Sequence, residues 1–170
     1  MTPADQFVRI IETLMWHDLK LVGFKKKGGT FVRETRESYE IVNLQRSQSS
    51  TATSVTVTVN LGVYVRAVDA FIGRPPRPVT SVWETHWQQR LSHLLGENDK
   101  WWTVSDETTA SEVGTAIAGA LAKAGIPAIE SMSTEACIRA ALSKGLHPGR
   151  LSLPLCEYLG LSREDRNRRA

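Results

Sequence analysis

The sequence predicts an α+β fold: an antiparallel four-stranded sheet, built as a three-strand meander plus a short fourth strand, with helices packed on one face. Three observations carry this. Every odd position from Val55 to Val65 is aliphatic, most even positions are polar, and Gly62 has no side chain. A strict period of two marks a strand with one face in a core, and at this length it is a central strand. Two shorter strand-like runs precede it across tight polar turns. Segments with apolar residues at helical spacing come before and after these strands, so helices and strands are segregated along the chain.

A chain of 170 residues is one domain and can bury a sizeable core. Its main body is expected over residues 1–147, with an appendix and basic tail over 148–170. At 41% hydrophobic and 23% charged residues, the composition is that of a globular protein. No apolar run approaches the roughly 18 residues that span a bilayer. The N-terminus shows no signal peptide, and Cys137 and Cys156 have no metal-binding spacing, so a reducing, cytoplasmic setting is expected. The net charge of +3 is mild. Part of it comes from Arg163, Arg166, Arg168 and Arg169 in the tail, and it does not by itself call for nucleic acid.

Thr2-Pro3 opens the first helix: Thr2 can cap it, Pro3 suits the first helical position, and Asp5 sits well in the first turn. Phe7, Ile10, Ile11, Leu14 and Leu21 form its apolar stripe, Trp16 and His17 lie at the rim, and Gly23 ends it. Lys25, Lys26 and Lys27 precede Gly28-Gly29. A phosphate loop places its lysine after the second glycine, directly before Ser or Thr, so this stretch reads as a solvated turn into a strand. Residues 30–36 and 39–47 then make two strands with a turn near Glu37-Ser38. In the second, Val42 and Leu44 face the core, while Ile41, Asn43, Gln45 and Ser47 share the other face.

Beyond the central strand, Gly73-Arg74-Pro75-Pro76-Arg77-Pro78 is a stiff surface loop, since three prolines remove donors and fix φ. Ser81-x-x-Glu84 is a capping box and predicts a helix with Trp83, Trp87, Leu91, Leu94 and Leu95 buried, ending at Gly96. Residues 99–104 predict a short strand with one tryptophan on each face. Val113, Ile117, Leu121 and Ala124 mark another helix, closed by Gly125 and Pro127. Ser133 or Thr134 caps a further one through Cys137, Ile138, Ala141 and Leu142, closed by Gly145.

The motifs Gly23-Phe24-Lys25-Lys26-Lys27-Gly28-x-Thr30-Phe31, Ile41-Val42-Asn43-Leu44-Gln45-x-Ser47, Val59-Asn60-Leu61-Gly62-Val63-Tyr64, His86-Trp87-x-x-Arg90-Leu91 and Asp99-Lys100-Trp101-Trp102 run in this order. Over roughly residues 5–145 the chain resembles a bacterial family labelled domain of unknown function 4304. The Pro-rich loop and the segment after Pro148 depart from it. The resemblance implies no activity and no catalytic residues. By analogy with small α+β families of this kind, it suggests an orphan protein or an immunity protein beside a toxin.

Catalytic patterns are absent: there is no H-E-x-x-H, C-x-x-C or G-x-S-x-G. His86 and His93 would share a helix face about 10 Å apart, too far for one metal ion without other ligands. Glu34/Glu37 and Asp106/Glu107 sit in expected turns, where solvation is the default. The chemistry-bearing set is the polar face of the sheet, expected to be partly open. Asn43, Gln45 and Ser47 would neighbour Thr58, Asn60 and Tyr64, with His86, Arg90 and Trp102 at the rim. Amides and hydroxyls are poor strand formers, and together they suggest a hydrogen-bonding groove; the alternative is a merely solvated face or a polar core network. The expected function is non-catalytic binding of a protein partner, most sharply a toxin, with Tyr64, Trp102 and Arg90 as anchors. No cofactor, metal or membrane is implied. The alternative is a small-molecule site or weak enzyme in the same groove. Nucleic-acid binding through Lys25, Lys26, Lys27 and Arg33 is a weaker third expectation, since no reading helix is evident.

Overall fold

A computed structural model describes residues 1–75, 77–145 and 149–162. Pro76, Pro148 and the tail arginines Arg163, Arg166, Arg168 and Arg169 lie outside the described residues. The chain folds as α1 (Pro3–Leu21), β1 (Lys25–Lys27), β2 (Thr30–Glu34), β3 (Ser38–Arg46), β4 (Val55–Val65) and α2 (Arg66–Phe71). A 3-10 turn at Val82–Glu84 leads to β5 (Trp87–Arg90), α3 (Leu91–Leu94) and β6 (Trp102–Val104). Then come α4 (Glu107–Ala120), α5 (Ile126–Ser131), α6 (Glu135–Ser143), β7 (Arg150–Leu151) and α7 (Leu153–Leu159).

The fold is α+β with an antiparallel sheet, but the sheet has seven strands rather than four, in the order β1-β2-β3-β4-β5-β7 with β6 also on β4. The extra strands are short. Lys25–Lys27 pairs with β2 instead of forming a solvated turn, because Gly28, at φ +58°, lets a two-residue turn join Lys27 to Thr30. The helix expected after Ser81 stops after one 3-10 turn. Ser81 does cap it, accepting from the Trp83 N–H. The Thr85 hydroxyl then binds the Val82 carbonyl at 2.6 Å, and the chain pairs with β4 through Trp87↔Val63. A capping box specifies a first turn; here the free edge of β4 captures the residues after that turn. Trp87 is buried as expected, but from a strand, and Trp83 is 62% exposed.

The odd residues of β4, Val55 to Val65, are all buried in the main core with Phe7, Ile11, Met15 and Leu19 of α1. That i, i+4 stripe leaves Leu21, expected inside, 77% exposed. The helix after Asp106 does not end at Gly125. A π-helical turn, Leu121–Gly125, carries it into α5, because Gly125 keeps helical dihedrals and Pro127 sits at the start of α5, where its missing N–H is tolerated. The segment expected as an appendix supplies β7 and α7, and Leu155 and Leu159 of α7 lie in the same main core. Neither Cys137 nor Cys156 is in a disulfide among the described residues.

Candidate functional site

Register decides which side chains share the second face of the sheet. Asn43 stands opposite Asn60 and Gln45 opposite Thr58, as parity predicted. The tight turns extend the row outward: Thr30 pairs with Asn43, Lys27 with Thr30, and on the other side Arg90 pairs with Asn60. Asn60 donates to the Gln45 Oε1 at 2.8 Å and reaches the Asn43 Oδ1 at 3.5 Å, and Asn43 donates to the Thr30 hydroxyl at 3.0 Å. Asn60 and Thr58 are nearly buried at the base of this array, whereas Thr30, Asn43, Gln45 and Arg90 are half-buried. The Thr58 hydroxyl donates to the Lys100 carbonyl at 3.1 Å, tying down the chain before β6. The Arg90 Nε lies 3.0 Å from Asp99 Oδ1, and its guanidinium sits 5.1 Å from the Trp101 ring centre.

The other half of this face is not open. Segment 77–86 crosses it, and Val79 and Val82 pack with Tyr39, Ile41 and Tyr64 in a second small core. Gly62 makes room for the crossing: a Cβ there would stand 2.5 Å from Thr85 Oγ1 and 2.9 Å from Val82 Cγ2. Tyr64, expected as an exposed anchor, is therefore a packing residue, 2% exposed.

His86 is also corrected. It precedes a strand rather than lying on a helix with His93, and it is buried. Its ring stacks on Tyr64 with centres 4.5 Å apart, and its Nδ1 accepts the Val65 N–H at 3.0 Å. Its Nε2 lies 3.6 Å from the Asp69 Oδ1, while Tyr64 donates its hydroxyl to the other oxygen of Asp69. Burial lowers the His86 pKa to about 4 against the raising pull of Asp69, and burial with the bond to Asp69 raises that of Tyr64 to about 12. At neutral pH both side chains are uncharged. Both imidazole nitrogens are turned inward, so the cluster anchors segment 77–86 to β4.

Two further expectations change. Trp102 pairs with Val57, so it lies on the helix side of the sheet, packed against the main core. The aromatic ring at the polar face is Trp101, one residue earlier. Ser47 lies just beyond β3, in a turn where its hydroxyl is 2.8 Å from that of Ser49, apart from the amide array. The basic set expected for nucleic acid is split. Lys26 pairs with Glu12 and Arg33 with Glu40 and Glu130, on the helix side, and only Lys25 and Lys27 share the polar face. Sequence reasoning did not place Thr30, Lys27 or Trp101 on this face; Lys27 entered only in the basic set for nucleic acid. Parity across the Gly28-Gly29 turn is the signal that would have found the first two.

Among the described residues, no group of three or more His, Cys, Asp and Glu side chains could hold a metal ion, and no helix is long and apolar enough to cross a membrane. An apolar groove of about 300 Å³ lies between the end of α1 and the π-helical turn, lined by Leu19, Leu21, Val22, Leu121 and Ile126 among others; none of its lining residues is on the polar face. No curated protein and no solved structure matches the chain. A family model does match, over residues 16–131, which take in part of α1 and every strand except β7. The chain belongs to that family, described as a domain of unknown function, DUF4304.

Proposed function

We propose that this is a non-catalytic binding protein that holds a protein partner on the open half of its polar sheet face. In the sharpest form of this reading, the partner is a toxin that the contact neutralises. One observation carries it: Asn43, Gln45 and Asn60 form a hydrogen-bonded amide array on the central strands, backed by the main core. Polar side chains held by one another on a rigid sheet are pre-organised, so little ordering entropy is lost when a partner binds. The Gln45 Nε2 makes no hydrogen bond among the described residues and remains free for a partner carbonyl. Arg90 and Trp101, residue types that anchor interfaces, stand beside the array. A small ligand in the same groove is the lesser reading, since the apolar groove lies elsewhere.

The test is affinity capture from the host lysate with the tagged wild type and with the double variant Asn43→Ala/Gln45→Ala. A stoichiometric protein kept by the wild type and lost by the double variant is the expected result, with the variant still folding cooperatively at a thermal midpoint lowered by the loss of both acceptors of the Asn60 Nδ2. A partner held equally by both would remove this face from consideration.

A further inference from the structure

We infer that the segment this face receives is extended and acidic, and that it lies across the strands along the row Lys27, Thr30, Asn43, Asn60, Arg90. The inference rests on the reading above and specifies the chemistry of the partner. Five adjacent strands contribute one residue each to the row. With neighbouring strands about 4.8 Å apart, it spans about 19 Å, the length of about six extended residues. On one side Val82 and Thr85 lie over the neighbouring row at Gly62. On the other the Lys100 backbone reaches to Thr58. The row is thus the floor of a trough with the unpaired Lys27 at one end, the Arg90–Asp99 pair at the other, and amides and a hydroxyl between them.

Charge points to the occupant. Exposed carboxylates beside this face have cations next to them, Glu34 with Arg66, Glu84 with Arg77, Asp99 with Arg90 and Glu97 with Lys100, and Asp69, 3.9 Å from the Arg77 Nε, is buried under segment 77–86. Lys25 and Lys27 at one edge, and Arg150 at the other, share the face and have no ion pair among the described residues. Arg90 itself is paired with Asp99 and its Nη1 is buried, so the unpaired charge at that end is that of Arg150. The unmatched charge is therefore positive, and carboxylates at the two ends of a bound segment would meet it. The middle suits a peptide backbone, because Asn and Gln side chains offer the same donor and acceptor groups as the amides of an extended chain. A nucleic acid is served less well. Lys26 and Arg33 are committed to carboxylates on the other side, which leaves few cations to line up with successive phosphates.

The experiment pans a phage-displayed random octapeptide library on the full chain and measures the selected peptides by fluorescence anisotropy. The expected pool is enriched in Asp and Glu. Its best peptide should bind at least about tenfold more weakly to Lys27→Glu, whose thermal midpoint should match the wild type. Binding should also weaken from about 50 to about 300 mM salt. A pool without acidic bias that is nevertheless lost with Gln45→Leu overturns the acidic inference and keeps the binding face. Peptides indifferent to both variants overturn both readings. No enrichment over a blank surface overturns the acidic segment. So does tighter binding of a single-stranded oligonucleotide of about twelve residues, which would make the face a nucleic-acid site.

Discussion

Tyr64, Asp69 and His86 show how a polar cluster can serve structure rather than reactivity. Each is nearly fully buried, and the imidazole is kept neutral chiefly by desolvation. The folded-state pKa of about 4 lies below the ordinary 6.5. Between those values the unfolded chain binds a proton that the folded chain resists, so this contribution to stability is fully present above about 6.5 and drains as pH falls towards 4. The urea midpoint is expected to drop between about pH 7 and pH 5, with a loss of about 2 kcal/mol from this one group. His86→Gln should flatten the slope over that range. The lowered carboxylates Asp5, Glu34, Asp106 and Glu135 lose their contribution only at more acidic pH. Glu40 has the opposite sign: desolvation raises its pKa against the pull of Arg33, so its protonated form is favoured on folding. A slope that survives His86→Gln would move the cause away from this cluster.

At the scale of elements, the helix layer is held close by a small residue. Gly114 of α4 faces α1, where a Cβ would stand 2.7 Å from the Leu14 Cδ1 and 3.2 Å from the Ile11 Cα. The leucine tip can turn aside, but the Ile11 backbone cannot without moving α1. Gly114→Ala gains about 1 kcal/mol of helix propensity and costs about 1–3 kcal/mol of overpacking. A net loss of stability is expected, read as a lower urea midpoint with an unchanged slope. A gain would mean that α1 and α4 separate easily. Gly119, on the same helix, has nothing within 4 Å of such a Cβ, so Gly119→Ala is the matched control and should stabilise.

For the whole molecule, the family segment and the folded unit do not have the same limits. The match ends at residue 131, at the end of α5, yet Ile138 and Ala141 of α6 and Leu155 and Leu159 of α7 are buried in the main core. β7 adds to the outer edge of β5, and the Ser152 N–H donates to the His86 carbonyl at 2.7 Å. Truncation after residue 145 removes two buried leucines, each worth about 2 kcal/mol, along with a sheet edge. The truncated chain is expected to lose at least about 3 kcal/mol or its cooperative transition altogether, followed by urea denaturation. An unchanged midpoint would show that the C-terminal segment merely rests on a finished core.

The reach of the sequence tracks the range of the interactions involved. The Thr2 cap with its reciprocal Asp5 bond, the amphipathic α1, the alternation of β4 and the Thr134 cap are all local, and each forms as its residues predict. Parity also placed Asn43, Gln45, Thr58 and Asn60 on one face, because a period of two fixes sidedness along a strand before any partner is known. The short strands β1, β5 and β7 were not legible, since two to four residues carry no period. Nor was it legible that half of the polar face is covered. Gly62 was the one trace of it, a residue without a side chain at the place where Val82 and Thr85 sit. Sequence alone determined which residues look the same way. Only the tertiary structure decided what they look at, because the groups that cover Tyr64 and His86, and those that leave Asn43 and Gln45 half open, arrive from distant parts of the chain.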